Sequence, residues 1–115
     1  RRGMSVDRVA PTLFTFLAIT PDFLPEVAKF RAARRVWAQL MRETYGAQEA
    51  ASEQLRIFAF TAGSSLTAQQ PLNNVVRASL EATAAALAGV QTMHVSAYDE
   101  ALRRLRRPRG RAAGE

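Results

Sequence analysis

Three short apolar runs, separated by two helix-like stretches, alternate along this chain of 115 residues, and this alternation most constrains its fold. The run 12–18 is rich in aromatic and β-branched residues, which is typical of a buried strand. The runs 55–61 and 91–95 are predicted to form the second and third strands. Strands that alternate with helices indicate a parallel sheet with right-handed crossovers. Three parallel strands do not close an architecture, so we expect part of a larger α/β fold.

Both helices are predicted from their boundary residues and apolar stripes. Thr20 followed by Pro21 is typical of an N-cap and first helical position, and Gly46 suits the C-terminal stop. Pro71 and Gly89 bound the second helix in the same way. The side chains that we expect to be buried are Phe23, Val27, Phe30, Trp37, Leu40 and Met41 in the first helix, and Leu72, Val75, Val76, Leu80, Thr83, Ala84 and Leu87 in the second.

The formal net charge of +6 is concentrated at the two ends of the chain. Residues 3–102 hold eight basic and nine acidic side chains, so the body carries no basic surface of the kind that binds nucleic acid. We expect residues 103–115 to be a disordered, arginine-rich tail, the alternative being contact of this tail with nucleic acid or anionic lipid. No apolar run is long enough to cross a bilayer, and no membrane partner is expected. The lack of cysteine excludes thiolate metal sites and fits a reducing, cytoplasmic location.

The stretch 60–77 joins the second apolar run to the second helix through a small, polar turn, where ligands bind in many α/β proteins. Together with segments 26–37 and 96–102, it resembles the acyl-CoA mutases that use adenosylcobalamin, above all the large subunit of methylmalonyl-CoA mutase. The resemblance extends from about Val6 to Leu102, with almost no gaps. It implies that residues 1–102 form part of a (β/α)8 TIM barrel, with about three parallel strands and two long helices.

The resemblance implies an isomerase, an intramolecular transferase that rearranges the carbon skeleton of an acyl-CoA with vitamin B12 chemistry. The substrate would be a branched or dicarboxylic acyl-CoA, and the partner would be the rest of a mutase chain or a second subunit. The family's catalytic histidine and its Asp-x-His-x-x-Gly cobalamin motif do not occur in these 115 residues. We therefore expect the chain alone to be inactive and not to bind cobalamin. The alternatives are a non-catalytic subunit derived from the family and an inactive truncated product.

Four residues match cofactor-binding positions of the family. Gly63 matches a glycine that lies against the corrin, Gln91 a glutamine near the cofactor, Glu100 a glutamate that binds the adenosyl ribose, and Ala101 the alanine beside it. From the residues alone, Gly63 is equally explained by turn geometry, Gln91 by the start of a strand, and Glu100 by the helix dipole. No catalytic or metal-binding residue is predicted.

Several positions depart from the family pattern. Thr12 and Phe14 stand where an arginine and a serine usually contact coenzyme A, and Phe58 and Phe60 stand where a histidine and a glutamine usually face the substrate and cofactor. Ser96 replaces an asparagine. These changes weaken the prediction of catalysis, because polar positions have become apolar.

His94 is the only histidine of the chain, and it matches a histidine of the family's third-strand motif. A packed, hydrogen-bonded strand residue is the favoured interpretation. A lone histidine does not make a structural zinc site without other ligands.

Overall fold

The computed structural model describes residues 3–102, so the predicted tail at 103–115 lies outside the described residues. One parallel sheet contains β1 (Phe14–Ile19), β2 (Arg56–Thr61) and β3 (Thr92–His94), in that order. Phe16 pairs with Phe58 across the first two strands, and Phe60 pairs with His94 across the last two. The predicted α/β class and parallel sheet are confirmed, and the arrangement is consistent with consecutive strands of a partial (β/α)8 barrel.

Two long helices connect the strands, as predicted. They are α2 (Phe23–Gln39), which continues as a π-helical turn over Leu40–Thr44, and α3 (Asn73–Leu87). The short elements, which the sequence pattern did not predict, are the helix α1 (Val6–Val9) and the 3₁₀ turns Ala10–Thr12, Ala50–Glu53 and Gly63–Ser65. β1 begins at Phe14 and not at the predicted Thr12, because Thr12 belongs to the turn Ala10–Thr12. The hydroxyl of Thr12 donates to the carbonyl oxygen of Val9 at 2.7 Å.

The boundaries of the helices follow the sequence signals in part. Gly46 and Gly89 have φ angles of +69° and +68°, the left-handed conformation that favours glycine beyond a helix end. The predicted N-cap at Thr20 is wrong, because α2 begins at Phe23. Thr20 instead donates from its hydroxyl to Glu26 Oε1, in the first turn of α2, at 2.8 Å.

The core lies between the two long helices and one face of the sheet. The apolar stripe predicted for α2 is confirmed in large part, with Phe30 fully buried and Leu40 still 40% exposed. The residues of the main buried cluster are Ile19, Phe30, Leu55, Ile57, Ala59, Ala84, Ala85 and Ala88.

The predicted buried face of α3 is wrong except at Ala84. Leu72 is 73% exposed and Leu87 is 64% exposed, and Val75, Val76, Leu80 and Thr83 are exposed as well. The face that packs inward is Asn74, Ala78, Glu81, Ala84, Ala85 and Ala88. Small alanine side chains allow α3 to approach the sheet and α2 closely, so its large apolar residues face outward.

The opposite face of the sheet is aromatic and open. Phe14 and Phe16 are 60% and 58% exposed, and their rings meet edge to face with centroids 5.3 Å apart. The ring of Phe16 also lies 5.2 Å from that of Phe58 in the next strand. In a closed barrel whose outer side is covered by helices, this face lines the interior.

Within residues 3–102, no helix combines the length and the apolar character that crossing a membrane requires.

Candidate functional site at the carboxyl edge of the sheet

The loops that follow the three strands meet at one edge, because parallel strands end on the same side of a sheet. Thr20 follows β1, the segment 62–65 follows β2, and the segment 95–100 follows β3. The amide of Ala62 donates to the carbonyl oxygen of Ile19 at 2.8 Å and continues the pairing of β1 with β2. This edge is where ligands bind in open and closed α/β sheets.

Gly63 and Glu100 lie against each other at this edge. A Cβ atom placed on Gly63 would stand 3.4 Å from Glu100 Oε1 and 3.9 Å from its carboxyl carbon. Gly63 is not among the glycines with a positive φ, so turn geometry does not require a glycine here. The distance of 3.4 Å is ordinary van der Waals contact, so the Glu100 carboxylate lies directly beside the Gly63 backbone.

The loop after β3 is fastened to the end of β2. The amide of Ser96 donates to Thr61 Oγ1 at 2.7 Å, and both residues are buried. A chain reversal follows, in which the amide of Glu100 donates to the carbonyl oxygen of Ala97 at 3.0 Å. These bonds set the position at which Glu100 approaches Gly63.

Asn74 ties the loops after β2 and β3 together from the start of α3. Its side chain is fully buried, and its Nδ2 donates to the carbonyl oxygens of Thr67 at 2.8 Å and Tyr98 at 2.9 Å. Its Oδ1 accepts from the amide of Thr67 and from Arg77 Nη1, both at 3.0 Å. Both donors and the acceptor oxygen of this amide therefore have partners, which is how a polar group is accommodated in an interior.

Two buried carboxyl groups lie behind the edge, on α2 and α3. Burial alone would raise the pKa of Glu26, but the hydrogen bonds from Lys29 and Thr20 and the charge of Lys29 outweigh it and hold that pKa below its ordinary value of 4.5. Lys29 forms an ion pair with Glu26 and donates to the carbonyl oxygen of Ala18 at 2.7 Å. Burial raises the pKa of Glu81, and the charge of Glu26 raises it further, while the hydrogen-bonding contact with the Ser65 hydroxyl opposes both.

Comparison with known proteins places these residues in a family. The family model for methylmalonyl-CoA mutase matches residues 1–112. The chain belongs to the methylmalonyl-CoA mutase family. The large subunit of 2-hydroxyisobutanoyl-CoA mutase from Aquincola tertiaricarbonis is 48% identical over 101 residues, which cover 88% of this chain and 18% of that protein.

Two methylmalonyl-CoA mutases are similar to the chain over almost the same length. The enzyme of Escherichia coli is 45% identical over 100 residues, and the mitochondrial enzyme of Homo sapiens is 43% identical over 100 residues. Each alignment covers 87% of this chain, but only 14% and 13% of those two enzymes. The chain thus corresponds in length to a small part of the mutases that it resembles. The family match also extends beyond Leu102, so a domain boundary at 102 stays a prediction.

The structure brings together three of the four residues that the mutase resemblance predicts as cofactor contacts. Gly63 and Glu100 are adjacent, and Ala101 follows Glu100 in a half-buried helical turn. Gln91 precedes β3, at the opposite end of the parallel sheet, and its Oε1 accepts from the amide of Ile57 at 2.9 Å. This contact explains Gln91 as a polar residue that completes the pairing at a strand start. Its binding role, like those of the other three residues, stays a prediction.

Three of the five positions that depart from the mutase pattern lie on the aromatic face. Phe14, Phe58 and Phe60 all lie on it, whereas Thr12 lies in the turn before β1. His94 lies in β3 beside Phe60, as the prediction of a strand residue requires, but its side chain is exposed, so the predicted packing is wrong. Among the described residues, no group of three or more His, Asp or Glu side chains is arranged to hold a metal ion.

Sequence reasoning missed the polar residues that support the edge, namely Asn74, Glu81 and Ser65. Asn74 and Glu81 are spaced seven residues apart on α3, in register with Ala78, Ala84 and Ala85 rather than with the large apolar residues. A stripe of small residues that includes two polar ones is the signal that could have indicated the inward face. Its interpretation required knowing that α3 packs closely against its neighbours.

Proposed function

We propose that this chain forms one wall of the barrel of a cobalamin-dependent acyl-CoA mutase, with Gly63, Glu100 and Ala101 against adenosylcobalamin. The observation that carries the proposal is the contact of Gly63 with Glu100 at the carboxyl edge of the sheet. A glycine permits close approach of a flat macrocycle to the backbone. A carboxylate beside it accepts hydrogen bonds from the vicinal hydroxyls of a ribose.

When bound, adenosylcobalamin supplies the radical chemistry of a carbon-skeleton rearrangement. The role of this chain is to bind and orient. Glu100 would hold the ribose, and the bonds of Ser96 to Thr61 and of Asn74 to Tyr98 fix the loop that carries it. A site whose side chains are held in advance loses less conformational entropy when its ligand binds.

Two exposed apolar surfaces support a place within a larger enzyme. One is the aromatic face of the sheet, and the other is the outer side of α3, where the exposed large residues are Leu72, Val75, Val76, Leu80 and Leu87. Apolar surface of this extent marks a place where another element packs. In the proposed enzyme, the remaining barrel elements of a mutase chain, or a second subunit, cover both surfaces.

The substrate that we propose is a branched or dicarboxylic acyl-CoA, processed in the cytoplasm. The similarity to a 2-hydroxyisobutanoyl-CoA mutase supports a branched acyl group. Phe58 and Phe60, on the face that would line the barrel interior, favour the branched, apolar acyl group over the dicarboxylic one, which carries a charge.

A chimera tests this proposal. Residues 3–102 of this chain would replace the matching segment of the Escherichia coli mutase, and the binding of adenosylcobalamin and the isomerisation of acyl-CoA would be measured. We expect the chimera to bind the cofactor, and Glu100→Gln to weaken binding at least about tenfold, because it removes a charge-assisted hydrogen bond. Glu49→Gln is the matched control, because Glu49 is exposed and lies far from Glu100 in the sequence. A folded chimera that binds no cofactor would reject the proposal.

The second candidate is a non-catalytic subunit of a mutase. The aromatic face favours it, because phenylalanine at positions 14, 58 and 60 offers no hydrogen bond or charge to a substrate. A chimera that binds adenosylcobalamin as tightly as its parent but turns over none of the branched or dicarboxylic acyl-CoA substrates would support this alternative.

A further inference from the structure

The side chain of Ser65 makes two short contacts that one hydroxyl group cannot make alone. Its Oγ lies 2.6 Å from the carbonyl oxygen of Ala62 and 2.5 Å from Glu81 Oε1. The first oxygen is a backbone acceptor, and the second belongs to a carboxyl group, which can accept but not donate a hydrogen bond when it is ionised. A serine hydroxyl carries a single hydrogen, so one of these contacts needs a hydrogen from elsewhere.

We infer that Glu81 is a neutral carboxylic acid in the folded protein, that its proton is donated to Ser65 Oγ, and that Ser65 donates in turn to Ala62. This relay places one hydrogen in each of the two short contacts. An ionised Glu81 would leave two oxygen atoms at 2.5 or 2.6 Å with no hydrogen between them, well inside ordinary packing distance.

The surroundings of Glu81 favour its neutral form. The side chain is 0% exposed, and Oε2 has no hydrogen-bond partner among the described residues. An ionised carboxylate with a bare oxygen in an interior carries a large desolvation cost. The charged group that acts on Glu81 from the adjacent helix is Glu26, which Lys29 and Thr20 keep ionised. Burial and this like charge both raise the pKa of Glu81, so the two carboxyl groups hold different protonation states.

The relay has a positioning role at the carboxyl edge of the sheet. Ser65 belongs to the 3₁₀ turn Gly63–Ser65, so the bond to Glu81 anchors this turn to α3. Gly63 is the residue of the turn that contacts Glu100. The inference concerns the protonation of this chain and goes beyond the proposed function, so it stands or falls independently of cofactor binding.

Infrared spectroscopy of the purified chain at neutral pH tests the inference. The wild type minus Glu81→Gln difference spectrum should contain the C=O stretch of a protonated carboxylic acid, and the same difference for Glu49→Gln should contain carboxylate bands only. If the Glu81→Gln difference also contains carboxylate bands only, the inference is overturned. If Glu81→Gln does not fold, the wild-type chain labelled isotopically at glutamate provides the test instead. The label should shift one C=O stretch of a protonated carboxylic acid, and Glu81 is the glutamate that we expect to give it.

The dependence of stability on pH is a second measurement. Because the folded pKa of Glu81 is raised, its stabilising effect is present below the unfolded value and is lost as pH rises through the folded value. Glu81→Gln keeps a donor to Ser65 and does not ionise. The urea midpoint of the wild type should therefore fall relative to that of Glu81→Gln as pH rises. A difference that does not change with pH would contradict a neutral Glu81.

A third measurement separates positioning from general stability. Ser65→Ala removes the relay but leaves Glu81 buried. At one pH, hydrogen exchange at the amides of Ser65 and Leu66, which close the turn, should accelerate in this variant more than exchange in the centre of α2. Equal acceleration throughout the chain would show a loss of overall stability and contradict the positioning role.

Discussion

Asn74 and Tyr98 are joined by a hydrogen bond of 2.9 Å, from the side-chain amide of the first to the carbonyl oxygen of the second. The bond connects the start of α3 with the loop that leads from β3 to Glu100. The same amide group holds both the N–H and the carbonyl oxygen of Thr67 in the loop after β2. One buried side chain thus sets the relative position of two loops at the carboxyl edge.

Replacing Asn74 should therefore be costly. Asn74→Ala leaves several backbone groups without partners in a dry site, and we expect it to lower the free energy of unfolding by about 3 kcal/mol. Asn73→Ala is the matched control, because the Asn73 side chain is exposed and donates to the Oε1 of Gln70, which is also exposed. Urea unfolding followed by circular dichroism measures both. Equal midpoints for the two variants would contradict the role given to Asn74.

Arg34 connects the two long helices at the other end of α3. Its guanidinium group donates to the carbonyl oxygens of Ala88, at 2.5 Å, and of Gly89, which terminate α3. Arg34→Met should lower the free energy of unfolding by about 2 kcal/mol, because hydrogen bonds from a charged group to helix-end carbonyls are lost. Arg35→Met, at an exposed neighbour, should change it by less than about 0.5 kcal/mol. Similar losses in both variants would show that Arg34 does not act through this contact.

The sequence predicts the order and type of the main elements because apolar runs and helix-stop glycines act locally. Gly46 and Gly89 lie where a left-handed residue must follow a helix, and α2 carries one continuous apolar stripe. The parallel pairing of β1, β2 and β3 follows from the alternation of strands and helices. These features need no knowledge of distant contacts.

The inward face of α3 and the support of the candidate site depend on tertiary packing. The largest apolar side chains of α3 point outward, since alanines at 84, 85 and 88 set its distance from the sheet. Gln91 fits a cofactor contact by resemblance, yet its amide oxygen bonds to Ile57 at the opposite end of the sheet. The contact of Gly63 with Glu100 joins residues 37 positions apart, so local sequence signals do not reveal it.

The inward face of α3, which contains Ala84, can be tested by substitution. Ala84→Leu should destabilise the chain by about 2 kcal/mol, because the added carbons have no space against the buried cluster. Val76→Thr, on the exposed side, should change the free energy of unfolding by less than about 0.5 kcal/mol. Thermal unfolding of the two variants under the same conditions compares them. If Val76→Thr lowered the free energy of unfolding more than Ala84→Leu, the buried face of α3 would be the one that the apolar periodicity predicts.

Asp7 should give the chain a dependence on acid pH. The hydroxyl of Ser52 donates to its carboxylate at 2.7 Å, and the amides of Glu49 and Gln48 donate as well. The Ser52 bond, with these amides, holds the pKa of Asp7 below its ordinary value of 3.8. A lowered folded pKa gives stability that is present above the unfolded value and is lost as pH falls through the folded one.

Asp7→Asn should accordingly be less stable than the wild type near neutral pH, and the gap should narrow as pH falls below 3.8. Urea midpoints measured from neutral to acid pH test this, with Asp22→Asn, at an exposed aspartate before α2, as the control. In Asp7→Asn, the urea midpoint should fall less steeply toward acid pH than in the wild type. The variant lacks the carboxylate whose protonation breaks the contact of α1 with the turn Ala50–Glu53. An acid limb unchanged by Asp7→Asn would mean that the loss of stability in acid arises at other carboxyl groups, Glu26 first among them, because its pKa is lowered by Lys29 and Thr20.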